Sequence, residues 1–326
     1  MNVIETEGLT HYYSNLCALD KLDLSVKKGE LFAYLGPNGA GKTTTIRTLT
    51  GLIRPSRGRA LIDGLDITER PMEAKARVGV VPQRSNLYGE LTAQENLVFV
   101  AQLYGLPRAQ WRTRADELLA EFDLTDRADA LFATLSGGMK RRLTIAAALV
   151  HRPSILFLDE PTTGLDVQSA RALRQTILRL REQGVTIFLT THQIAEAERL
   201  ADRVGIIVKG RLVAVDSPAN LCARIQGESR LELTVNGAGD GLADALAGSP
   251  HVASVARSGE TLHLTVRSLE AALADVVAAV SQLGVSIHAI HSTNPSLEDA
   301  FVQLTHLDAE AMRGGGAGNG RGGQAA

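Results

Sequence analysis

Short unbroken apolar runs recur along the first two thirds of the chain, at residues 31–35, 78–81, 155–158 and 186–190. Runs of this length bounded by turn residues read as strands covered on both faces, as in a parallel sheet. Further strands are predicted at 3–9, 22–26 and 59–63, and residues 43–50, 169–182 and 193–201 carry a helical period. Between 84 and 134 the strand signal lapses, and helices are predicted over 92–104 and 109–122. The order is that of an α/β fold with helices on both faces of its sheet, interrupted by a helical subdomain.

After Pro218 the pattern changes. Leu231, Leu233 and Val235 alternate; 242–247 is helical; 252–255 is a weak strand; and a Ser258-Gly259 turn leads to Leu262, Leu264 and Val266. Ser268 is placed to cap a helix striped by Leu269, Leu273, Val276, Val280 and Leu283, and Gly284 ends it before a strand at 285–290. The order βαββαβ predicts a small ferredoxin-like domain, followed by a helix bearing Leu297, Phe301 and Leu304. His263, His288 and His291 invite a metal reading, but strand residues three apart face opposite sides, so His288 and His291 are not expected to converge. The stretch 313–326 is mostly glycine and small polar residues and reads as a flexible end. Its two arginines, Arg313 and Arg321, are too few for useful nucleic-acid affinity.

Composition narrows the class. With 326 residues and 44% hydrophobic content the chain can bury one large or two ordinary cores. A net charge of −2 gives no electrostatic footprint for nucleic acid. Two cysteines, Cys17 and Cys222, do not make a disulfide framework, and a reducing compartment is expected. No secretory leader is read at the start, and no apolar run approaches the ~20 residues of a membrane span.

Three segments carry chemistry. Residues 36–44, GPNGAGKTT, fit the phosphate-loop pattern between a strand and a helix. Gly36, Gly39 and Gly41 let the backbone of Pro37, Asn38 and Ala40 wrap close to anionic oxygens. Lys42 supplies a point charge for the β- and γ-phosphates, the Thr43 hydroxyl suits Mg²⁺, and Thr44 either joins it or caps the turn. Second, the run 155–158 delivers Asp159 and Glu160 to a strand end ahead of Pro161. Adjacent strand residues face opposite ways, so the two carboxylates share a site only if the chain leaves the strand there. Asp159 is the candidate magnesium ligand and Glu160 the candidate general base on an attacking water. Third, in LSGGM, Ser136 can cap a helix whose stripe is Met139, Leu143, Ala146 and Val150. Lys140, Arg141 and Arg142 crowd its first turn, either to meet a phosphate or as a solvated basic face. A lysine-bearing loop and a Gly137-Gly138 helix start nearly a hundred residues apart suit two copies meeting head to tail, each closing the other's nucleotide.

On these motifs the chain resembles the nucleotide-binding subunit of an ATP-binding cassette (ABC) transporter over roughly residues 3–221. The resemblance implies a P-loop fold of the ABC ATPase type, with ATP and Mg²⁺ bound by Gly36 to Thr44 and by Ser136, Gly137 and Gly138 of a second copy. It implies that Gln83 senses magnesium and the attacking water, that His192 contacts the γ-phosphate, and that Asp166 links the two sites. Tyr13, or its neighbour Tyr12, is implied to stack on adenine. The signature departs at Met139, where glutamine is usual. MKRRL and the segment 295–305 are similar to bacterial exporters that include the daunorubicin-resistance and nodulation-factor ATPases.

Expected domains are therefore a nucleotide-binding domain at 1–225 with its helical subdomain at 84–134, an accessory domain at 226–308 and a tail at 309–326. The implied activity is ATP hydrolysis by a homodimer at the cytoplasmic face of the plasma membrane, powering small-molecule export through a separate integral-membrane permease. No nucleic-acid partner is expected. The alternative is a soluble cassette ATPase acting on ribosomes or DNA. Such proteins carry two cassettes or long coiled-coil insertions, and this chain has neither.

Overall fold

The chain opens with a hairpin, β1 (Asn2–Tyr13) against β2 (Leu16–Lys27), antiparallel and bent at several bulges. The structure, a computed structural model, describes residues 1–224, 229–236, 240–293 and 296–306. The predicted tail with Arg313 and Arg321 lies outside the described residues, as do Pro295 and the expected boundary positions 225, 226, 308 and 309. Two compact units are present, Met1–Pro218 and Ala219–His306.

In the first unit β3 (Leu31–Leu35), buried at every position, runs into the glycine loop, and α1 (Lys42–Leu49) starts where the loop ends. β4 (Arg57–Ile62) and β5 (Leu65–Asp66) complete an antiparallel sheet of order β2-β1-β4-β5. α2 (Pro71–Ala76) leads into β6 (Val78–Val81). The predicted helical region follows as α3 (Ala93–Leu103) and α4 (Trp111–Glu121), and α5 (Gly137–Ala148) starts at the LSGGM segment. A capping box starts α3: Glu95 N donates to Thr92 Oγ1 and Thr92 N to the Glu95 carboxylate.

β7 (Ile155–Asp159), α6 (Val167–Glu182), β8 (Thr186–Thr191), α7 (Ile194–Leu200), β9 (Arg203–Val208) and β10 (Arg211–Asp216) then build the second sheet, of order β10-β9-β3-β8-β7-β6. All its pairings are parallel except β9 with β10. The apolar strands divide by parity between two layers. Phe32, Tyr34, Phe157 and Phe188 face the first sheet, whereas Leu31, Leu156, Leu158, Ile187 and Leu189 face the helical region. Residues 203–216 were not predicted as strands, although β9 holds the buried Val204, Ile206 and Ile207 and the half-exposed edge strand β10 holds Leu212 to Val215.

α8 (Pro218–Arg224) spans the division between the units. The second unit runs β11 (Ser229–Asn236), α9 (Asp240–Ala247), β12 (Val252–Ser258), β13 (Thr261–Val266), α10 (Leu269–Leu283), β14 (Ser286–Thr293) and α11 (Leu297–Thr305). Its antiparallel sheet has the order β12-β13-β11-β14, the ferredoxin-like arrangement. The alternating residues Leu231, Leu233, Leu262 and Leu264 meet Ala272 and Val276 of α10, which begins on a Ser268 cap and ends at Gly284 with φ 66°. His263 Nδ1 lies 3.2 Å from Glu232 Oε1, and the register sets His291 on the other flank of Glu232. Among the described residues no group of three or more His, Cys, Asp or Glu is arranged to hold a metal ion, and no helix is long and apolar enough to cross a membrane.

Candidate active site

The glycine loop and the ends of β1 and β2 enclose a cavity of about 550 Å³, lined by Tyr13, Leu16, Cys17, Ala18, Asn38, Gly39, Gly41, Lys42, Thr43, Thr44, Gln83, Glu160 and Lys209. Close backbone approach explains two of the glycines. A Cβ on Gly41, which has φ 108°, would stand 2.7 Å from Ala18 O, and one on Gly36 would stand 2.4 Å from Ile207 O. Gly36, Pro37 and Ala40 do not line the cavity; Ala40 is buried at 3% exposure, and Gly36 and Pro37 present carbonyls to Lys42. No side chain caps α1 at Gly41, so its first-turn amides are ready for an anion.

Lys42 Nζ donates to Gly36 O at 2.7 Å and Pro37 O at 3.1 Å and pairs with Glu160 Oε1 at 3.2 Å. Burial pushes its ammonium below the usual lysine range, against the opposing pull of Glu160 and Asp159. Asp159 Oδ2 accepts from Thr43 Oγ1 at 3.0 Å and its Oδ1 from Thr190 Oγ1 at 2.6 Å. The parity problem is solved at Glu160 itself, which takes a left-handed φ of 44° and swings its carboxylate round beside Lys42. Such a conformation costs a side-chain-bearing residue about 1–3 kcal/mol and persists only where its surroundings impose it.

Glu160 Oε2 accepts from Gln83 Nε2 and Thr163 Oγ1, each at 3.3 Å. His192 Nδ1 stands 3.1 Å from the same oxygen. The His192 ring, followed by Lys42, holds the Glu160 carboxyl down at about 2 against the upward push of burial. The carboxylate is thus ionised at neutral pH, with Lys42 at one oxygen and the His192 ring beside the other. Tyr13 is on the cavity wall and Tyr12, its strand neighbour, is not among the lining residues.

Ser136, Gly137, Gly138 and Asp166 do not line this cavity. Ser136 caps α5 by accepting from Met139 N at 3.3 Å, and both Ser136 and Gly137 are exposed. Gly138 has a packing reason to be glycine: a Cβ there would lie 2.6 Å from Ser169 Oγ on α6. Asp166 caps α6 through Ser169 N at 2.8 Å. Met139 packs against the helical core, so an apolar side chain suits the position.

The basic turn is only in part a solvated face. Lys140 Nζ donates to Ala133 O, Arg142 Nη1 to Phe122 O, and Arg141 is buried at 7% exposure with its guanidinium spent on carbonyls. Lys140 and Arg142 fold back onto main-chain carbonyls while staying partly exposed, and Arg141 meets buried carbonyls. Sequence reasoning missed Arg141, Thr190 and Glu196. A signal existed for Arg141, which shares a helix face with the buried Ile145 and Ala148 at helical spacing. Lys209 follows no pattern and reaches the cavity only through the β9–β10 hairpin.

The chain is similar to known proteins in sequence and in fold. Residues 19–163 match the ABC transporter family. The linearmycin resistance ATP-binding protein of Bacillus subtilis is 36% identical over 93% of this chain and 98% of its own length. A daunorubicin resistance ATP-binding protein of Streptomyces coeruleorubidus is 37% identical over 93% and 94%, and a Nod factor export ATP-binding protein of Paraburkholderia xenovorans 41% over 93% and 96%. Among solved structures, an ATP-binding subunit of an ABC transporter superposes with a TM-score of 0.62 at 34% identity, covering 68% of this chain and 92% of that one. An ATP-binding cassette solved as a dimer bound to ADP and Pi gives 0.59 at 28% identity, over 66% and 98%.

Proposed function

The chain belongs to the ATP-binding subunits of the ABC transporter family, and from that premise we propose that it hydrolyses ATP to power export of a small molecule through a separate membrane permease. The observation that carries the reading is the division of the site. Lys42, Thr43, Gln83 and Glu160 surround one cavity, whereas Ser136 and Gly137 stand exposed outside it, so one copy leaves its nucleotide half enclosed. A second copy facing head to tail supplies the missing helix start, whose amides suit a phosphate. The homodimer is the hydrolysing form.

Within it, Lys42 and the first-turn amides of α1 bind the β- and γ-phosphates, and Tyr13 stacks on the adenine. The oxygens of Thr43 and Asp159, already 3.0 Å apart, are the hard donors Mg²⁺ prefers, and the amide oxygen of Gln83 completes the set. Bound there, Mg²⁺ neutralises charge on the phosphate oxygens. When triphosphate takes over Lys42 as counter-charge, the Glu160 carboxylate is released to accept a proton from the attacking water, oriented by Gln83 and His192. Asp166, at the start of α6, lies beside the partner's site.

The permease face is the groove of about 670 Å³ lined by Leu52, Met72, Val80, Pro82, Leu103 and Tyr104, among others. Leu52, Met72 and Leu103 are 64%, 75% and 69% exposed, an apolar surface directly before Gln83 that suits a short helix of a membrane partner. The protein is then peripheral at the cytoplasmic face of the membrane. The relatives' names span drug resistance and Nod factor export, so the cargo is a drug, a natural product or a lipid-linked sugar.

The test is oligomeric state with nucleotide. Glu160→Gln saturated with ATP is expected to run as a dimer, and adding Ser136→Arg to return it to a monomer that still binds ATP. A dimer indifferent to Ser136→Arg would remove the proposed sandwich. Co-purification of a polytopic membrane protein, lost on Met72→Glu, is the expected sign of transport; association with ribosomes instead would favour the soluble alternative.

A further inference from the structure

Arg141 does not line the cavity and is only 7% exposed, yet all three of its guanidinium nitrogens are engaged. Nε donates to Pro161 O at 2.8 Å, Nη2 to Asp159 O at 2.9 Å and Nη1 to Pro82 O at 2.5 Å, with Gln83 O at 3.5 Å. These acceptors lie where hydrolysis is decided. Asp159 O and Pro161 O bracket Glu160, the residue forced to φ 44°. Pro82 immediately precedes Gln83, whose amide meets the Glu160 carboxylate. The Asp159–Glu160 peptide is gripped at both ends, since its N–H donates to Thr190 O and Thr190 Oγ1, each at 3.1 Å.

The charge of the fork is balanced rather than solvated. Asp159 and Glu196 act on it electrostatically, and burial pulls its proton affinity down to about 10. Glu196 is 3% exposed, and neither of its oxygens has a hydrogen-bond partner among the described residues, which leaves it the part of a buried counter-ion. A buried cation this well fitted on carbonyls of two separate segments is a geometric device. Lysine keeps the charge, but one nitrogen cannot span acceptors on both sides of Glu160 and on the segment before Gln83.

We propose that Arg141 is a positioning residue for ATP hydrolysis, holding the main chain around Glu160 and before Gln83 so that both face the attacking water. It acts through Glu160 and touches no substrate. The inference rests on the assignment of Glu160 as general base, and the experiment separates the two.

Phosphate release against ATP concentration, and equilibrium binding of a fluorescent ATP analogue, are measured on the full chain for Arg141→Lys, Glu160→Gln and the double variant. Arg141→Lys is expected to lower kcat on the order of 100-fold, the usual effect of displacing a catalytic group by about an ångström, with KM and analogue affinity changed by less than about threefold. The double variant is expected to be no slower than Glu160→Gln. A raised KM at unchanged kcat, or two losses that multiply in the double variant while Glu160→Gln alone is slow, overturns the role of Arg141. A normal rate in Glu160→Gln overturns the base assignment and the proposal with it. Should Arg141→Lys fail to bind the analogue, Glu196→Gln decides: loss of kcat at constant KM supports the latch, and unchanged kcat overturns it.

Discussion

Glu160→Gln is expected to slow hydrolysis and also to make folding of the nucleotide-binding unit depend on ATP. Lys42 Nζ and Glu160 Oε1 pair at 3.2 Å with side chains only 6% and 10% exposed. Removing one charge of a buried pair strands the other, at a cost of about 3–5 kcal/mol. The bonds from Nζ to Gly36 O and Pro37 O survive the change and favour the lower end of that range. At about 2–4 °C per kcal/mol for a unit of this size, the melting transition without nucleotide falls by about 6–12 °C. Triphosphate brings the missing negative charge, so saturating ATP restores most of that loss, while turnover drops by about 10²–10⁴-fold. Thermal unfolding with and without ATP, beside phosphate release, measures both. An unchanged melting temperature without nucleotide refutes the buried-pair reasoning, and near-normal turnover refutes the catalytic one. The sign with pH is fixed. The Glu160 carboxyl titrates at about 2 in the folded chain against 4.5 unperturbed, so its stabilisation is complete above pH 4.5 and is lost as pH falls toward 2. The stability gap between wild type and Glu160→Gln should close across that window.

Gly138→Ala forces a Cβ to 2.6 Å from Ser169 Oγ and is expected to destabilise the first unit by about 1–3 kcal/mol in urea unfolding. An unchanged midpoint would mean that α5 and α6 separate freely. Tyr13→Ala should raise the KM for ATP and Tyr12→Ala should not; the reverse pattern would move adenine stacking to Tyr12. Because Cys17 is on the cavity wall, ATP should slow its alkylation in a Cys222→Ser background, and equal rates with and without ATP would place the nucleotide elsewhere.

The features legible in the chain were those set by local rules. Continuous apolar runs mark β3, β6, β7 and β8 because strands covered on both faces favour apolar side chains at successive positions. The βαββαβ order of the second unit follows from the alternation at Leu231, Leu233, Leu262 and Leu264 and from the caps at Ser268 and Gly284. The phosphate loop was readable because its glycines, lysine and hydroxyl must stand at fixed spacing to wrap an anion. β9 and β10 went unread although both are apolar, β9 buried beside β3 and β10 half exposed at the sheet edge, because their link is a tight hairpin and not the helix that separates the other strands of the sheet.

Sequence alone determined which chemical groups are present and which local conformations carry them: Lys42, Thr43, Asp159 and Glu160 at strand and helix ends, and Ser136 at a helix start. Tertiary structure alone decided what each group meets. It turned Arg141 from one cation in a basic run into the buried fork around Glu160, gave Gly138 a packing role against Ser169, and joined Gln83 and His192 to one carboxylate oxygen. The reason is physical. Spacing along a chain fixes neighbours within a few residues, whereas a buried charge finds its partners only after distant segments pack and water is excluded.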